Sequence, residues 1–149
     1  MFSLSVVLTL VHLIGFALGV GGATLKLYML LQSASDLSLI SSYFRTARTI
    51  TRLIVLGIIL LTVSGLAMVV LVGARPFTAL FIIKLLGVGA ILIIWPLIDN
   101  VTEPRARILA PQGAEAPNAQ FRSALRLYVT LEIVATALFY LITVIWVVF

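Results

Sequence analysis

Long apolar stretches separated by short polar segments set the pattern of this chain. Four of them run approximately from Leu4 to Leu25, Leu53 to Val72, Phe77 to Ile98 and Tyr128 to Phe149. Each has the length, roughly 20 residues, that a helix needs to cross a hydrocarbon core of about 30 Å. Each is also too long and too evenly apolar for a buried strand. The pattern predicts an all-α fold: one integral membrane domain over residues 1–149, built as a four-helix up-and-down bundle. A secretory leader is the competing account of the first stretch, but no basic segment precedes it, so it is expected to stay as a helix.

The polar segments orient the bundle. Connections at about 26–52 and 99–124 lie on one side, and a tight turn at Gly73-Ala74-Arg75-Pro76 lies on the other. Lys26, Arg45, Arg48, Arg52, Arg105, Arg107, Arg122 and Arg126, eight of the ten basic residues, belong to the first side, whereas the turn carries only Arg75. The positive-inside rule then predicts both long connections in the cytoplasm and both termini outside, in a bacterial-type inner membrane. Arg45, Arg48 and Arg52 recur at helical spacing, so a helix should continue past the bilayer into the second span, its basic stripe facing headgroups or an intramembrane acid. Pro104, Pro111, Gly113 and Pro117 give the segment from Asp99 to Phe121 the look of an irregular loop, with Asn118 as the cap of the last helix. Tyr28, Tyr43, Trp95, Tyr128 and Trp146 fall near expected interfaces and read as belt aromatics.

Composition narrows the chemistry. Hydrophobic residues make up 62% and charged residues 10% of the chain, against roughly 45–50% and about 25% in soluble domains, which excludes a soluble globular enzyme. The net charge of +5 is accounted for by topology and anionic headgroups, so the lipid bilayer, and no nucleic acid, is the expected partner. Without cysteine there is no disulfide or thiolate site, and one histidine excludes a two-histidine metal site within a single chain.

Three ionisable residues fall within the apolar spans, and such groups are costly enough to be informative. His12 and Lys84 each lie about 11–12 Å in from the outer end, and Glu132 about 25 Å below it, at 1.5 Å per residue. Glu132 should pair with Arg52, Arg48 or Lys26 or else hold a proton, because a lone carboxylate in hydrocarbon is too costly. His12, Gly15, Gly19, Gly22 and Lys26 share one helical face. Gly15 and Gly19 form a G-x-x-x-G pattern that suits close helix packing; the same smooth face would also admit a flat ring with its metal on His12. A hydrogen bond to a neighbouring helix is the alternative role for His12. Lys84 either snorkels to the headgroups or sets its ammonium against an anionic group or a proton path, with Gly87 leaving space beside it. Met68 is a candidate second soft ligand.

Leu10-Val11-His12-Leu13-Ile14 with Gly21-Gly22, Phe81-Ile82-Ile83-Lys84-Leu85-Leu86, Arg45 with Arg48, and Leu131-Glu132-Ile133 together resemble the HemJ-type protoporphyrinogen IX oxidases and the copper-resistance-D-like group of small four-helix haem-b membrane proteins. The resemblance implies haem b as cofactor, His12 as its axial metal ligand beside Gly15 and Gly19, Lys84 working with haem or substrate, and Glu132 as the acid opening the last helix. Gln32 and Ile94-Trp95 stand where that pattern has further histidines, and no proline follows Glu132. The second axial ligand would then be water, Met68, another subunit or nothing.

Three functions follow. The first is a haem-dependent membrane oxidoreductase, acting on a porphyrin or quinone with Lys84 and Glu132 as catalytic groups. The second is a non-enzymatic accessory or scaffold subunit, homo-oligomeric or docked in a larger membrane complex. The third is a small transporter or proton-conducting protein that uses Glu132 and Lys84.

Overall fold

A computed structural model describes residues 3–71, 79–111 and 116–148, with the side chains of 146–148 left aside. The turn from Gly73 to Pro76 with Arg75, the ends of the spans at Val72, Phe77 and Phe149, the side chain of Trp146, and Gly113 lie outside the described residues.

Helix α1 covers Leu4–Ser35, α2 Ile40–Leu71, α3 Ala79–Leu97, α4 Glu103–Ile108 and α5 Ala119–Val148. A short 3-10 turn, Leu37–Leu39, joins α1 to α2, and a π-helical turn, Ile98–Thr102, joins α3 to α4. The architecture is all-helical, with four helical stretches long and apolar enough to cross a membrane: Leu4–Ser35, Leu37–Leu71, Ala79–Ile108 and Ala119–Ile145. It is compatible with a four-helix bundle.

The helices exceed the apolar counts. α1 and α2 have 32 residues each, or about 48 Å at 1.5 Å per residue, against a hydrocarbon core of about 30 Å. Most of the expected connection 26–52 is therefore helix, and the reversal is confined to a few residues after Ser35. Asp36 caps it, its carboxylate accepting from Ser38 N at 3.0 Å and Ser38 Oγ at 2.7 Å. Those two donors hold the Asp36 carboxyl below the usual carboxylate range.

The expected loop after Asp99 is likewise helical as far as Ile108. Pro96 sits inside α3 and removes one ladder donor. The backbone widens into the π-helical turn just after it, while Asn100 Nδ2 donates to the Pro96 carbonyl at 2.9 Å and Thr102 Oγ1 to that of Ile98 at 3.1 Å. Pro104 falls in the first turn of α4, where a missing N–H costs little. The last helix starts where Asn118 predicts: its Oδ1 accepts from Phe121 N at 2.7 Å.

α1 packs along α2 and also against α5, and α5 against α3. Glycine sets the α1–α2 spacing. A Cβ on Gly57 would fall 2.3 Å from Gly19 N and 2.8 Å from the Gly15 carbonyl oxygen, and one on Gly22 would fall 2.7 Å from Ile54 Cγ1. The two backbones are in direct contact, as the G-x-x-x-G pattern anticipates. Outward, the surface is Leu, Ile and Val, with Val63 at 63%, Leu86 at 69% and Ile93 at 73% exposure. An apolar exterior of this extent has no place in a water-soluble monomer.

Candidate functional site

The densest polar chemistry lies in the half of the bundle that ends at Ser35 and Ile108. Lys26 comes 22 residues after Leu4 on α1, Asp99 20 residues after Ala79, and Glu132 16 residues before Val148 on α5. These offsets, about 24 to 33 Å of helix, bring the three to one level.

Lys26 is completely buried. Its Nζ lies 2.9 Å from Glu103 Oε2, 2.9 Å from Glu132 Oε1 and 3.2 Å from Asp99 Oδ1. Two aromatic faces complete the surround, Trp95 with its ring centroid at 5.4 Å and Tyr128 at 5.7 Å. Electron-rich rings and carboxylates thus replace the hydration that the ammonium gives up.

Local structure explains the convergence. Trp95, Asp99, Glu103 and Arg107 step by four along one side of α3, the π-helical turn and α4. Residues four apart on a regular α-helix drift about 40° around the axis; the wider π-helical turn counters that drift. α1 delivers Lys26 one turn beyond Gly22, where the glycine contacts bring α1 against α2.

The three acids differ in how well they are satisfied. Glu103 accepts from Arg107 Nη2 on Oε1 at 2.7 Å and from Tyr128 Oη on Oε2 at 3.2 Å, besides its Lys26 contact. Asp99 Oδ1 takes a hydrogen bond from Lys26 and a longer one, 3.5 Å, from Thr51 Oγ1. Glu132 is completely buried, and neither of its oxygens has an aligned hydrogen bond despite the 2.9 Å approach of Lys26. Tyr43 closes the α2 side, its hydroxyl bonded to that of Tyr128. Arg107 is the member most open to solvent, with 33% side-chain exposure. Its Nη2 also donates to the Phe44 carbonyl at 3.0 Å, tying α4 to α2.

Among the described residues, two cations, Lys26 and Arg107, face three acids. With every group ionised, the centre carries a formal charge of −1. Such a charge in a largely buried centre is costly unless a further cation or a proton neutralises it.

Of the residues singled out from sequence, Glu132 belongs to this centre, and of its three candidate partners it meets Lys26. Arg48 and Arg52 are exposed, as is Arg45. Three of the expected belt aromatics, Tyr43, Trp95 and Tyr128, are instead buried at 1%, 2% and 0%, because they wall the centre; Tyr28 is exposed at 58%. Asp99 and Glu103 were unforeseen as members of a site.

His12 and Lys84 lie in the opposite half, close enough to interact electrostatically. Lys84 on α3 precedes Asp99 of the π-helical turn by 15 residues, about 22 Å of helix, so Lys84 and Glu132 are not brought together. His12 Nδ1 is 2.9 Å from Ser64 Oγ, and the Ser64 hydroxyl donates to the Leu60 carbonyl. Ser64 Oγ is then left to accept from an Nδ1-protonated His12. This bond joins α1 to α2 through Nδ1 of the ring.

A haem on the face of His12, Gly15 and Gly19 would have to displace α2, whose Gly57 backbone touches both glycines. In this arrangement these residues do not fit a flat macrocycle. Among the described residues no group of three or more His, Cys, Asp or Glu side chains is disposed to hold a metal ion; the carboxylates instead surround an ammonium. Gly87, beside Lys84, packs on Ile142 of α5.

Comparison with protein-family models, with curated proteins and with solved structures finds no match to this chain.

Proposed function

We propose that this chain is a small multi-pass membrane protein that exchanges a proton at its basic end, with Glu132 as the exchanging group. Asp99 and Glu103 each accept hydrogen bonds from neighbouring side chains, whereas neither oxygen of the buried Glu132 has an aligned one. That contrast carries the reading: the surplus negative charge is neutralised by a proton on Glu132. Lys26 holds the three acids together, and Arg107 and Asp99 are the members nearest solvent. Protons then enter from the side that the positive-inside rule places in the cytoplasm, in an inner membrane with both termini outside. A proton-coupled carrier, or the proton-handling subunit of a larger complex, is the class of protein this serves. A haem b on His12 has only the sequence resemblance behind it. A Soret band abolished by His12→Ala would establish it.

The test is chemical labelling of reconstituted protein with a hydrophobic carbodiimide, which attacks protonated carboxyls in apolar surroundings. The expected result is modification of Glu132 that falls as the pH rises and vanishes in Glu132→Gln. Labelling independent of pH, or confined to Asp99 and Glu103, would overturn the assignment.

A further inference from the structure

Glu132 is not the only buried group on its helix face without a hydrogen bond. Thr136 follows it by four residues on α5, is 4% exposed, and its hydroxyl has no partner. This is unusual here. Thr24, Ser33, Thr102, Thr130 and Thr143 each donate their hydroxyl to the carbonyl four residues earlier, as helical Ser and Thr commonly do. Among the described residues, Thr136 is the only buried hydroxyl left unbonded. Helical side chains tilt toward the N-terminal end, so residues at i and i+4 lie one above the other, with Thr136 over the turn that bears Glu132. Two polar groups without an aligned hydrogen bond are therefore stacked on one face of α5, inside the bundle.

We infer that Thr136 is the positioning partner of the Glu132 carboxyl. When Glu132 is protonated, its O–H donates to Thr136 Oγ1. When the proton leaves, the carboxylate turns to the Lys26 ammonium. The proton goes to water by way of the Asp99 and Arg107 side of the centre, and no other bond changes. Each state of Glu132 then has its own partner, and the two partners lie on different helices, α1 and α5. The proton thereby changes how strongly α5 is held to α1. The groups facing Glu132 are Lys26 from α1, Tyr43 from α2, Asp99 and Glu103 from the α3–α4 stretch, and Tyr128 from α5 itself. Thr136 stands apart from these as a non-titrating group whose hydroxyl can accept or donate. This inference rests on the proton reading, and its test separates the two.

Infrared difference spectra of the reconstituted protein, recorded across a pH titration, report the C=O stretch of a protonated carboxyl and its hydrogen bonding. Loss of the titrating band in Glu132→Gln supports the proton reading. Thr136→Val is expected to move that band to the higher frequency of a carboxyl without a hydrogen-bond partner, and Thr136→Ser to restore the wild-type position. A band lost in Glu132→Gln yet unmoved in Thr136→Val overturns the role of Thr136 and leaves Glu132 standing. Absence of any titrating band overturns both. If Thr136→Val folds poorly, a band in Thr136→Ser at the free-carboxyl frequency would equally sink the inference.

Discussion

The two halves of this bundle handle buried polarity in opposite ways. At His12 one ring nitrogen meets one hydroxyl, and that hydroxyl is anchored on its own helix. Around Lys26 three acids from two separate stretches of chain share one ammonium, with aromatic rings in place of water. In the first arrangement the hydrogen bond between the two helices is made. In the second, the surplus charge and a Glu132 carboxyl without an aligned hydrogen bond leave room for a proton to come and go. A charged cluster can also be a static fastener of helices; the unequal satisfaction of its members argues that this one titrates.

Removing the ammonium should separate the halves most sharply. Lys26→Met leaves three carboxylates without their shared cation, and breaking a buried pair from one side costs about 3–5 kcal/mol. Thermal unfolding in detergent should show that loss. Adding Asp99→Asn to Lys26→Met should recover part of it, because one uncompensated carboxylate is gone. Equal stability of the single and double variants would mean that the two residues are not coupled.

Between the halves lies the glycine crossing, and it should respond to volume rather than charge. The Cβ of Gly57→Ala would meet backbone atoms of Gly15 and Gly19, so α1 and α2 must move apart, at a cost of about 1–3 kcal/mol typical of overpacking. Gly21 is the control, since a Cβ there meets nothing within 4 Å. Gly21→Ala should be no less stable than the parent, since alanine is the better helix former; a loss as large as that of Gly57→Ala would show that the crossing is not what is being measured.

The smallest effect is expected at the outer hydrogen bond. Ser64→Ala removes the partner of His12, and interhelical hydrogen bonds between membrane helices average about 0.6 kcal/mol. Unfolding midpoints should move slightly. A loss as large as that of Lys26→Met would show that His12 does more than pair with Ser64.

Much of this architecture was legible in the chain. Apolar run lengths located the four long helices, Gly15 and Gly19 announced a close crossing, and Asn118 marked the start of α5. Glu132 could be placed as a buried acid with Lys26 among its partners. The rest of the centre was hidden by the same hydropathy logic. A charged residue at the end of an apolar run reads as an exit from the membrane, so Lys26 and Asp99 became span boundaries, and Glu103 fell into a supposed loop whose prolines suggested disorder of pattern. Burial of these residues is possible only because they neutralise one another across three helices, which no window along one stretch can register. One local signal was available: Trp95, Asp99, Glu103 and Arg107 recur every four residues, a helical face running straight through Pro96 and Pro104. Gly57, the partner of the α1 glycines, carried no pattern of its own, since a single glycine in an apolar helix has no marked face.

The central claim is that one proton, on Glu132, balances the charge of the Lys26 centre. Its most direct measurement is the number of buried carboxyls that titrate, read from the infrared C=O region of the reconstituted protein against Glu132→Gln, Asp99→Asn and Glu103→Gln. The account predicts a single titrating band, present in the wild type and lost in Glu132→Gln. A spectrum without a protonated buried carboxyl at any pH, or a band lost in Asp99→Asn or Glu103→Gln but kept in Glu132→Gln, would contradict it.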